Sequence, residues 1–251
     1  MIPFFRKIRK QMADDNKPLK YIRYAIGEIV LVVIGILIAL SINNWNKAKI
    51  EHQKEQVYLA NIKRDLQHQL VSIELQLKEE QKYLEKVQPF LNNYNQNHVI
   101  KLDSITTRNL SSVTSRKTFV RTDPTYTDLI SSGNIDILKD ISFKNKLIEY
   151  YQNLERIEKI NHNNNLYLND QIYASNILKL IYFYDEYESI PNSEELVEIS
   201  NGIVNTTENK LYLINLVNFR KHLANASTES MLEIKTETQE LLNLINNRSN
   251  P

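Results

Sequence analysis

The chain contains no cysteine and few of the residues that interrupt regular structure, with 4 glycines, 6 prolines and 1 tryptophan among 251 residues. Disulfide bonds, zinc–thiolate sites and thiol nucleophiles are therefore excluded, although the lack of cysteine leaves the compartment open. Such a low content of turn-forming residues argues against a sandwich of many short strands and favours long helices. The 31 basic and 30 acidic residues nearly cancel. This balance argues against a nucleic-acid-binding domain, which needs a concentrated basic face.

Catalytic and cofactor-binding motifs are also missing from the sequence. It has no nucleophile elbow, no phosphate-binding glycine loop and no HExxH motif. The histidines are scattered, and only Asp65-x-x-His68 has the spacing of metal ligands. A carboxylate-bridged metal site in a helical bundle needs such motifs from several helices. We therefore expect no enzymatic activity, no cofactor and no metal.

One long apolar run, YAIGEIVLVVIGILIALSINNW, occupies residues 24–45. It is long enough to span a bilayer, which takes about 20 apolar residues. A cleaved signal peptide is the alternative, because residues 39–41 resemble a small-x-small cleavage site, but the run and the polar segment before it are long for a signal. We predict a basic cytoplasmic segment over residues 1–23, a transmembrane helix over 24–45 and an extracytoplasmic domain over 46–251.

Basic residues are concentrated on the N-terminal side of the run. They are Arg6, Lys7, Arg9, Lys10, Lys17, Lys20 and Arg23. Because basic flanks are retained in the cytoplasm, the N-terminus is predicted to lie inside and the bulk of the chain in the periplasm. Tyr21 and Tyr24 at one end of the run and Trp45 at the other fit interfacial aromatic anchors. The predicted location is the bacterial inner membrane.

The apolar run carries more than an anchor needs. Gly27, Leu31, Gly35 and Ala39 are spaced by four and share one helix face, which small residues open to close helix approach. Glu28 adjoins this face, and an acid within a membrane helix is a functional candidate. Either the face binds a second copy or another membrane protein, or its glycines are ordinary for a membrane helix. Glu28 either contacts a partner helix or reaches the headgroups as an interfacial residue.

Two basic segments each allow two interpretations. Phe4, Ile8 and Met12 recur every four residues near the N-terminus, which is typical either of an amphipathic helix on the inner membrane face or of a plain basic tail. Between residues 92 and 122 lies an irregular stretch rich in Ser and Thr. Its basic residues, which form either an anion site or a solvated loop, are Arg108, Arg116, Lys117 and Arg121.

A sevenfold apolar repeat follows the run and predicts a long coiled-coil-like helix. Its a positions are Leu59, Leu66, Ile73 and Val87, and its d positions are assigned to Leu70, Leu77, Leu84 and Leu91. Glu80 at an a position and Lys63 at a d position interrupt the repeat. Pro89 is expected to kink or end the helix.

The remaining chain is predicted to complete an antiparallel helical bundle, so the fold class is all-α with one N-terminal transmembrane helix. A short helix is capped by Asp103, a second begins at Asp123-Pro124 and ends at Gly133-Asn134, and a third begins near Asp140 or Ser142. The apolar run 166–184 is interpreted as a core helix, with association to the membrane left open. A helix capped at Asn192 ends near Ser200, Asn201-Gly202 forms a turn, and the last helix spans 207–247.

The segment AIGEIVLVVIGILIALSINNWN, over residues 25–46, with the preceding FFRKIR, resembles the N-terminus of an uncharacterised family of single-pass inner-membrane proteins of Gram-negative bacteria. A second similar block runs from Thr125 through Ser131 to Asn134, followed by LIEYY at residues 147–151. The resemblance implies a single-pass anchor with a helical extracytoplasmic domain. It implies no activity.

Two functions follow as expectations. The first is a non-enzymatic, membrane-anchored interaction or scaffold protein, acting as a subunit of a homo- or hetero-oligomeric inner-membrane assembly. Its partners would be the lipid bilayer and another membrane helix, and not a nucleic acid. The alternative is a periplasmic helical bundle that senses a ligand and signals through a partner membrane protein.

Overall fold

The computed structural model describes residues 18–174, 177–182 and 194–249, and within them the regular structure is helical with no strand. The all-α class is confirmed. The α-helices are α1 (Pro18–Asn97), α2 (Ser104–Ser111), α3 (Pro124–Ser131), α4 (Ile141–Ala174), α5 (Ile177–Leu180), α6 (Glu194–Val204) and α7 (Thr207–Ser249). Short 3-10 turns follow α2 and α3. The chain divides into two compact units, residues 1–57 and 58–251.

The described part of the first unit is the N-terminal portion of α1. It contains the apolar run, and none of its side chains from Ile22 to Trp45 is buried within the protein. In length and composition this is the one helix among the described residues that is compatible with crossing a membrane. The boundaries placed at residues 23 and 45 stay predictions.

In the second unit the buried face of α1 follows a strict heptad, but its d positions differ from those predicted. The buried a and d residues alternate by three and four: Leu59, Ile62, Leu66, Gln69, Ile73, Gln76, Glu80, Tyr83, Val87 and Phe90. Leu70, Leu77 and Leu84 lie one position further on and are half-buried, whereas Leu91 is buried. The d assignment was wrong because the buried d positions include polar side chains, such as Gln69 and Gln76. A search for apolar residues at sevenfold spacing does not find them.

Three long helices, α1, α4 and α7, form the frame of this unit. Lys235 lies near Glu74 and Arg220 near Glu80, so the sequence of α7 runs opposite to that of α1. The pairs Asn153–Glu237 and Asn161–Ser227 give the same antiparallel order for α4 and α7. The predicted antiparallel bundle is therefore confirmed.

The bundle contains two apolar clusters. One packs the ends of α1 and α4 against α2, α5, α6 and the first half of α7, with Val87, Leu110 and Val217 fully buried. The other packs the start of this part of α1 against α3, the first half of α4 and the second half of α7, with Leu66, Leu147 and Ile234 fully buried. Leu168, Ile172, Ile177 and Ile181 belong to the first cluster, so these residues of the 166–184 run are core, whereas Leu166 and Tyr167 are exposed.

A band of polar residues lies between the two clusters along all three long helices. We call it the polar layer: buried Gln76 and Glu80 from α1, buried Asn161 and Asn165 from α4, buried Arg220 and half-buried Ser227 from α7, and half-buried Arg116 from the loop after α2. Buried polar groups need partners in place of water, so this layer is the costliest part of the core to assemble.

Several helix ends follow the predicted signals. The Asp103 carboxylate accepts a bond of 2.6 Å from the Thr106 amide, and the Asp140 carboxylate accepts one of 2.8 Å from the Phe143 amide. Helix α3 ends in a Schellman arrangement at Gly133, whose φ of +69° suits glycine. The Asn134 amide there donates to the Leu129 carbonyl at 2.9 Å.

Two predicted breaks are absent. Pro89 lies inside α1, which continues to Asn97, because the proline removes only one backbone donor from a helix that packs on both sides of it. Asn201-Gly202 lies inside α6 rather than in a turn, and the helix continues to Val204. The proposed capping residue Asn192 lies outside the described residues.

Candidate functional site

The predicted transmembrane contact face is exposed. Gly27, Leu31, Gly35 and Ala39 are open, and Glu28 is half-exposed. A β-carbon added at Gly27 or Gly35 meets no atom within 4 Å, so nothing inside this chain explains either glycine. Whether the face binds a partner stays a prediction.

Of the predicted interface anchors, Trp45 is 66% exposed and the Lys49 ammonium lies 5.5 Å from its ring centroid. Tyr24 is half-exposed, and Lys20 and Tyr21 fall in the first turn of α1. Arg23 is exposed on the same helix. The other topology-determining basic residues, Arg6, Lys7, Arg9, Lys10 and Lys17, lie outside the described residues.

The polar layer brings together side chains that the sequence did not predict as a site. The Arg220 Nη2 atom lies 2.7 Å from Oε2 of Glu80, and the two side chains are 2% and 4% exposed. The Gln76 amide donates to the other Glu80 oxygen at 3.0 Å. The guanidinium carbon of Arg220 lies 4.2 Å from the centroid of the Tyr83 ring, a cation–π geometry. One carboxylate therefore compensates Arg220 inside the bundle.

A second guanidinium enters the layer from the loop after α2. Arg116 Nη1 donates to the Asn164 carbonyl at 3.2 Å, while its Nε has no protein partner. Burial, together with the charge of nearby Arg220, lowers the pKa of Arg116 to about 10. The layer thus carries two guanidinium groups against one carboxylate.

The tyrosines around the layer are strongly perturbed. Burial raises the pKa of the Tyr83 hydroxyl well above its usual range, against the opposing attraction of Arg220. That hydroxyl donates to the Val217 carbonyl at 3.3 Å and so stays neutral and bonded. The Tyr83 ring therefore packs against the Arg220 guanidinium, and the hydroxyl is uncharged at neutral pH.

Backbone bonds hold the basic loop against the layer. The Asn165 side chain donates to the Lys117 carbonyl at 3.5 Å, and the Gln69 side chain accepts from the Thr122 amide at 2.6 Å. Arg121 is bound to Asp123 and Glu155, each at 3.0 Å. The loop is therefore a fixed wall of the bundle, and the solvated-loop interpretation is wrong for Arg116, whose Nε is buried, whereas Arg121 is partly exposed.

A small cavity opens on the polar layer, with a volume of about 30 Å³. Its lining has five basic residues against two acidic ones: Lys82, Lys86, Arg116, Lys117 and Arg220 against Glu79 and Glu80. Tyr83, Ser112 and Ser115 complete it. Among the described side chains, Nε and Nη1 of Arg220 are buried donors without a protein partner. The arrangement can accept an anion and offers no nucleophile activated by a base.

The sequence contained one signal for this site. Glu80 and Arg220 each interrupt an apolar repeat at a position that the repeat requires to be buried, and they have opposite charge. Asp65 and His68, which have the spacing of metal ligands, lie in different surroundings. The Asp65 carboxylate accepts a bond from the Thr125 amide at 3.0 Å, at the start of α3, and His68 is exposed. No group of three or more potential metal ligands occurs among the described residues.

Comparison with known proteins gives one match. The sequence profile of a family described as a family of unknown function, DUF6090, matches residues 28–205. The matched region includes Glu28, most of the apolar run, α2 to α6 and the loop that carries Arg116. No curated protein and no solved structure matches the chain. Because the match covers more than half of its length, the chain belongs to the DUF6090 family of unknown function.

Proposed function

We propose that this chain is a non-enzymatic, membrane-anchored interaction protein, a subunit of an assembly in the bacterial inner membrane with its helical bundle in the periplasm. The observation that carries the proposal is the apolar run of α1, which has no side chain buried by the part of the chain that the structure describes. An exposed apolar stretch of this length is stable in a bilayer and is an aggregation hazard in water.

Anchoring and orientation are tested together by thiol labelling. Because the chain has no cysteine, each introduced cysteine is the only thiol in the protein. We expect Lys101→Cys, on an exposed position of the bundle, to react with a membrane-impermeant maleimide in cells with a permeabilised outer membrane. Asn16→Cys should react only after the inner membrane is lysed. The opposite pattern would overturn the orientation.

A cleaved signal sequence is the alternative interpretation of the apolar run. Mass spectrometry of the mature protein from carbonate-washed membranes separates the two interpretations. Peptides from the region before residue 39 support the anchor, and a mature chain that begins after Ala39 and leaves with the carbonate wash excludes it.

The partner that we propose for the contact face is a second transmembrane helix, in the first instance a second copy of this chain. The face combines two glycines that no internal contact explains with an acid within the apolar run. Glycines let helix backbones approach, and a polar side chain gains from a partner in lipid.

Native mass measurement of the full chain in mild detergent tests the association. Gly35→Leu fills the face and should shift the protein toward monomer. Val33→Leu is the matched control, because it lies about 160° away around the same helix and should leave the mass unchanged. A monomer in the unmodified protein, with no membrane protein co-purifying, would exclude the contact role.

The sensing alternative has one specific observation in its favour. A bundle packed only with apolar side chains offers no ligand site, whereas this bundle contains a cavity lined by buried Arg220 and half-buried Arg116. If the chain senses a ligand, we propose that it signals through a partner membrane protein.

A further inference from the structure

We propose that the polar layer is a binding site for a small inorganic anion of halide size, held between Arg116 and Arg220. The site lies in the periplasmic bundle and is independent of the contact face on the membrane helix. It also gives the sensing alternative a ligand class. The experiments below measure binding of the ion alone, so their failure would leave the proposed membrane anchoring untouched.

The charge balance of the layer carries the first step. Arg220 is 2% exposed and has Glu80 as its carboxylate, while half-buried Arg116 brings a second guanidinium, with a buried Nε, to the same cavity. Its only hydrogen-bond acceptor within the described protein is a neutral carbonyl, from Asn164. A buried charge without a counter-charge is costly, and a bound anion removes that cost.

Free donors carry the second step. Nε and Nη1 of Arg220 and Nε of Arg116 are all buried and lack a protein acceptor. In folded proteins such donors nearly always have a partner. Water could accept these bonds but would leave the second positive charge uncompensated, whereas an anion satisfies both the donors and the charge.

The size of the cavity selects the class of anion. A volume of about 30 Å³ exceeds the space that one water needs, roughly 10–15 Å³, and leaves room for a single small ion. Ser112 and Ser115 add hydroxyl groups to the wall. Chloride and bromide fit these dimensions.

A basic rim provides the approach. Lys82 and Lys117 are exposed at the edge of the cavity, and Lys86 is half-buried there. Clefts lined by one sign of charge raise the local concentration of the opposite ion. The rim therefore favours entry of anions from solvent rather than trapping of an ion during folding.

The test is an anion titration of the full chain in mild detergent at constant ionic strength, with gluconate as the replacement anion. Thermal unfolding is followed by circular dichroism. A ligand that binds only the folded state raises the midpoint. We expect bromide and chloride at 0.3 M to raise the midpoint by about 2–4 °C. In a domain of this size, such a shift corresponds to a roughly fivefold increase in the ratio of folded to unfolded protein. Equal midpoints in chloride and gluconate would overturn the proposal.

Variants locate the effect. Arg116→Gln keeps the Glu80–Arg220 pair and should fold, but should lose most of the chloride-dependent shift. Arg220→Met should lose it completely. Lys235→Met, which removes a partly exposed cation on the same helix as Arg220, is the control and should keep the chloride-dependent shift. A chloride shift that survives Arg116→Gln and Arg220→Met would place the ion elsewhere and overturn the assignment.

Direct observation of the ion completes the test. Crystals of the full chain soaked in bromide should show an anomalous peak between the two guanidinium groups. A peak at the rim only contradicts a site between the two guanidinium groups.

Discussion

Arg220 Nη2 lies 2.7 Å from Oε2 of Glu80 in the interior of the bundle, where both side chains are buried. Removing one member of such a pair strands a buried charge, whereas removing both leaves an apolar contact. Arg220 also stacks on Tyr83, so its aliphatic stem and ring contact are retained best by methionine.

We predict that Glu80→Met and Arg220→Met each lower the free energy of unfolding by about 3–5 kcal/mol. The double variant should recover most of that loss. Urea unfolding of the full chain in detergent, followed by circular dichroism, measures this cycle. The pair between half-buried Lys235 and exposed Glu74, at 3.1 Å, is the control, and its coupling should stay below about 1 kcal/mol. Additive losses at Glu80 and Arg220 would contradict the pairing.

Alkaline pH should destabilise the bundle through its buried tyrosines. Burial raises the pKa of Tyr83, Tyr150 and Tyr151 far above the ordinary value. A raised folded-state pKa contributes stability that is complete below about pH 10, where unfolded tyrosine titrates, and is lost as the pH rises from there toward the folded-state pKa. Arg116 acts in the opposite direction, because its pKa is lowered to about 10, but three tyrosines outweigh it.

Tyr151→Phe tests this pH dependence. The Tyr151 hydroxyl is buried without a partner, so its removal should be neutral or slightly stabilising at pH 7. Above pH 10 the variant should lose stability less steeply, by about 1.4 kcal/mol per pH unit. Tyr150→Phe is the comparison, because it loses the 2.8 Å bond to Thr238 and should cost about 1 kcal/mol at neutral pH. Identical alkaline slopes for the unmodified protein and Tyr151→Phe would refute the assignment.

Two glycines should respond to alanine with opposite signs. Gly133 has a φ of +69° at the end of α3, so Gly133→Ala should lower the free energy of unfolding by about 1–2 kcal/mol although no atom obstructs the new β-carbon. Gly202 lies inside α6 with open space around it, and Gly202→Ala should raise stability by about 0.5–1 kcal/mol. Thermal unfolding of both variants measures the contrast. A loss at Gly202 would mean that α6 is not regular there.

Two asparagines, Asn201 in α6 and Asn205 directly after it, should hold the segment after α1 in place through hydrogen bonds to its backbone. The Asn201 side chain accepts from the Leu102 amide at 2.8 Å and donates to the Leu102 carbonyl at 2.7 Å. Asn205 makes the same pair of bonds with Ile100, at 3.0 and 2.7 Å. We predict that Asn201→Ala costs about 2 kcal/mol, roughly 1 for each net bond.

Hydrogen exchange distinguishes a local effect from general destabilisation. In Asn201→Ala the Leu102 amide should exchange faster than in the unmodified protein, while the amides of α7 should change less. Asn243→Ala, at an exposed position on α7, should leave the Leu102 amide unchanged. Slow exchange at Leu102 in Asn201→Ala would show that another group holds the segment.

The repeats predicted the helices, but not the polar contacts between them. The a positions of α1, such as Leu66 and Ile73, are apolar and were assigned correctly. At the d positions Gln69 accepts a bond from the Thr122 amide of the loop and Gln76 donates one to Glu80, and no local pattern encodes such distant or polar partners. Asn201-Gly202 has the composition of a turn, but packing of α6 and the bonds to Leu102 keep it helical.

The candidate site divides in the same way. The contact face at Gly27 and Gly35 could be read from a single helix, since spacing alone defines a helix face. The cavity at Arg116 and Arg220 could not, because these residues are far apart in sequence and belong to a loop and a helix. Glu80 and Arg220 carry opposite charges at buried positions of α1 and α7, which is a signal for a pair. Arg116 lies in a loop and has no periodic signal.

The Glu80–Arg220 pair also fixes how α7 is aligned along α1. Heptad seams repeat every seven residues, so an apolar core alone would tolerate a slip by one repeat. A slip of seven residues would place Arg220 against Ile73 or Val87, both fully buried, and would leave Glu80 and Arg220 each without a counter-ion. The two charges therefore exclude the misaligned bundles that the rest of the sequence would allow, and they specify a single alignment of the helices.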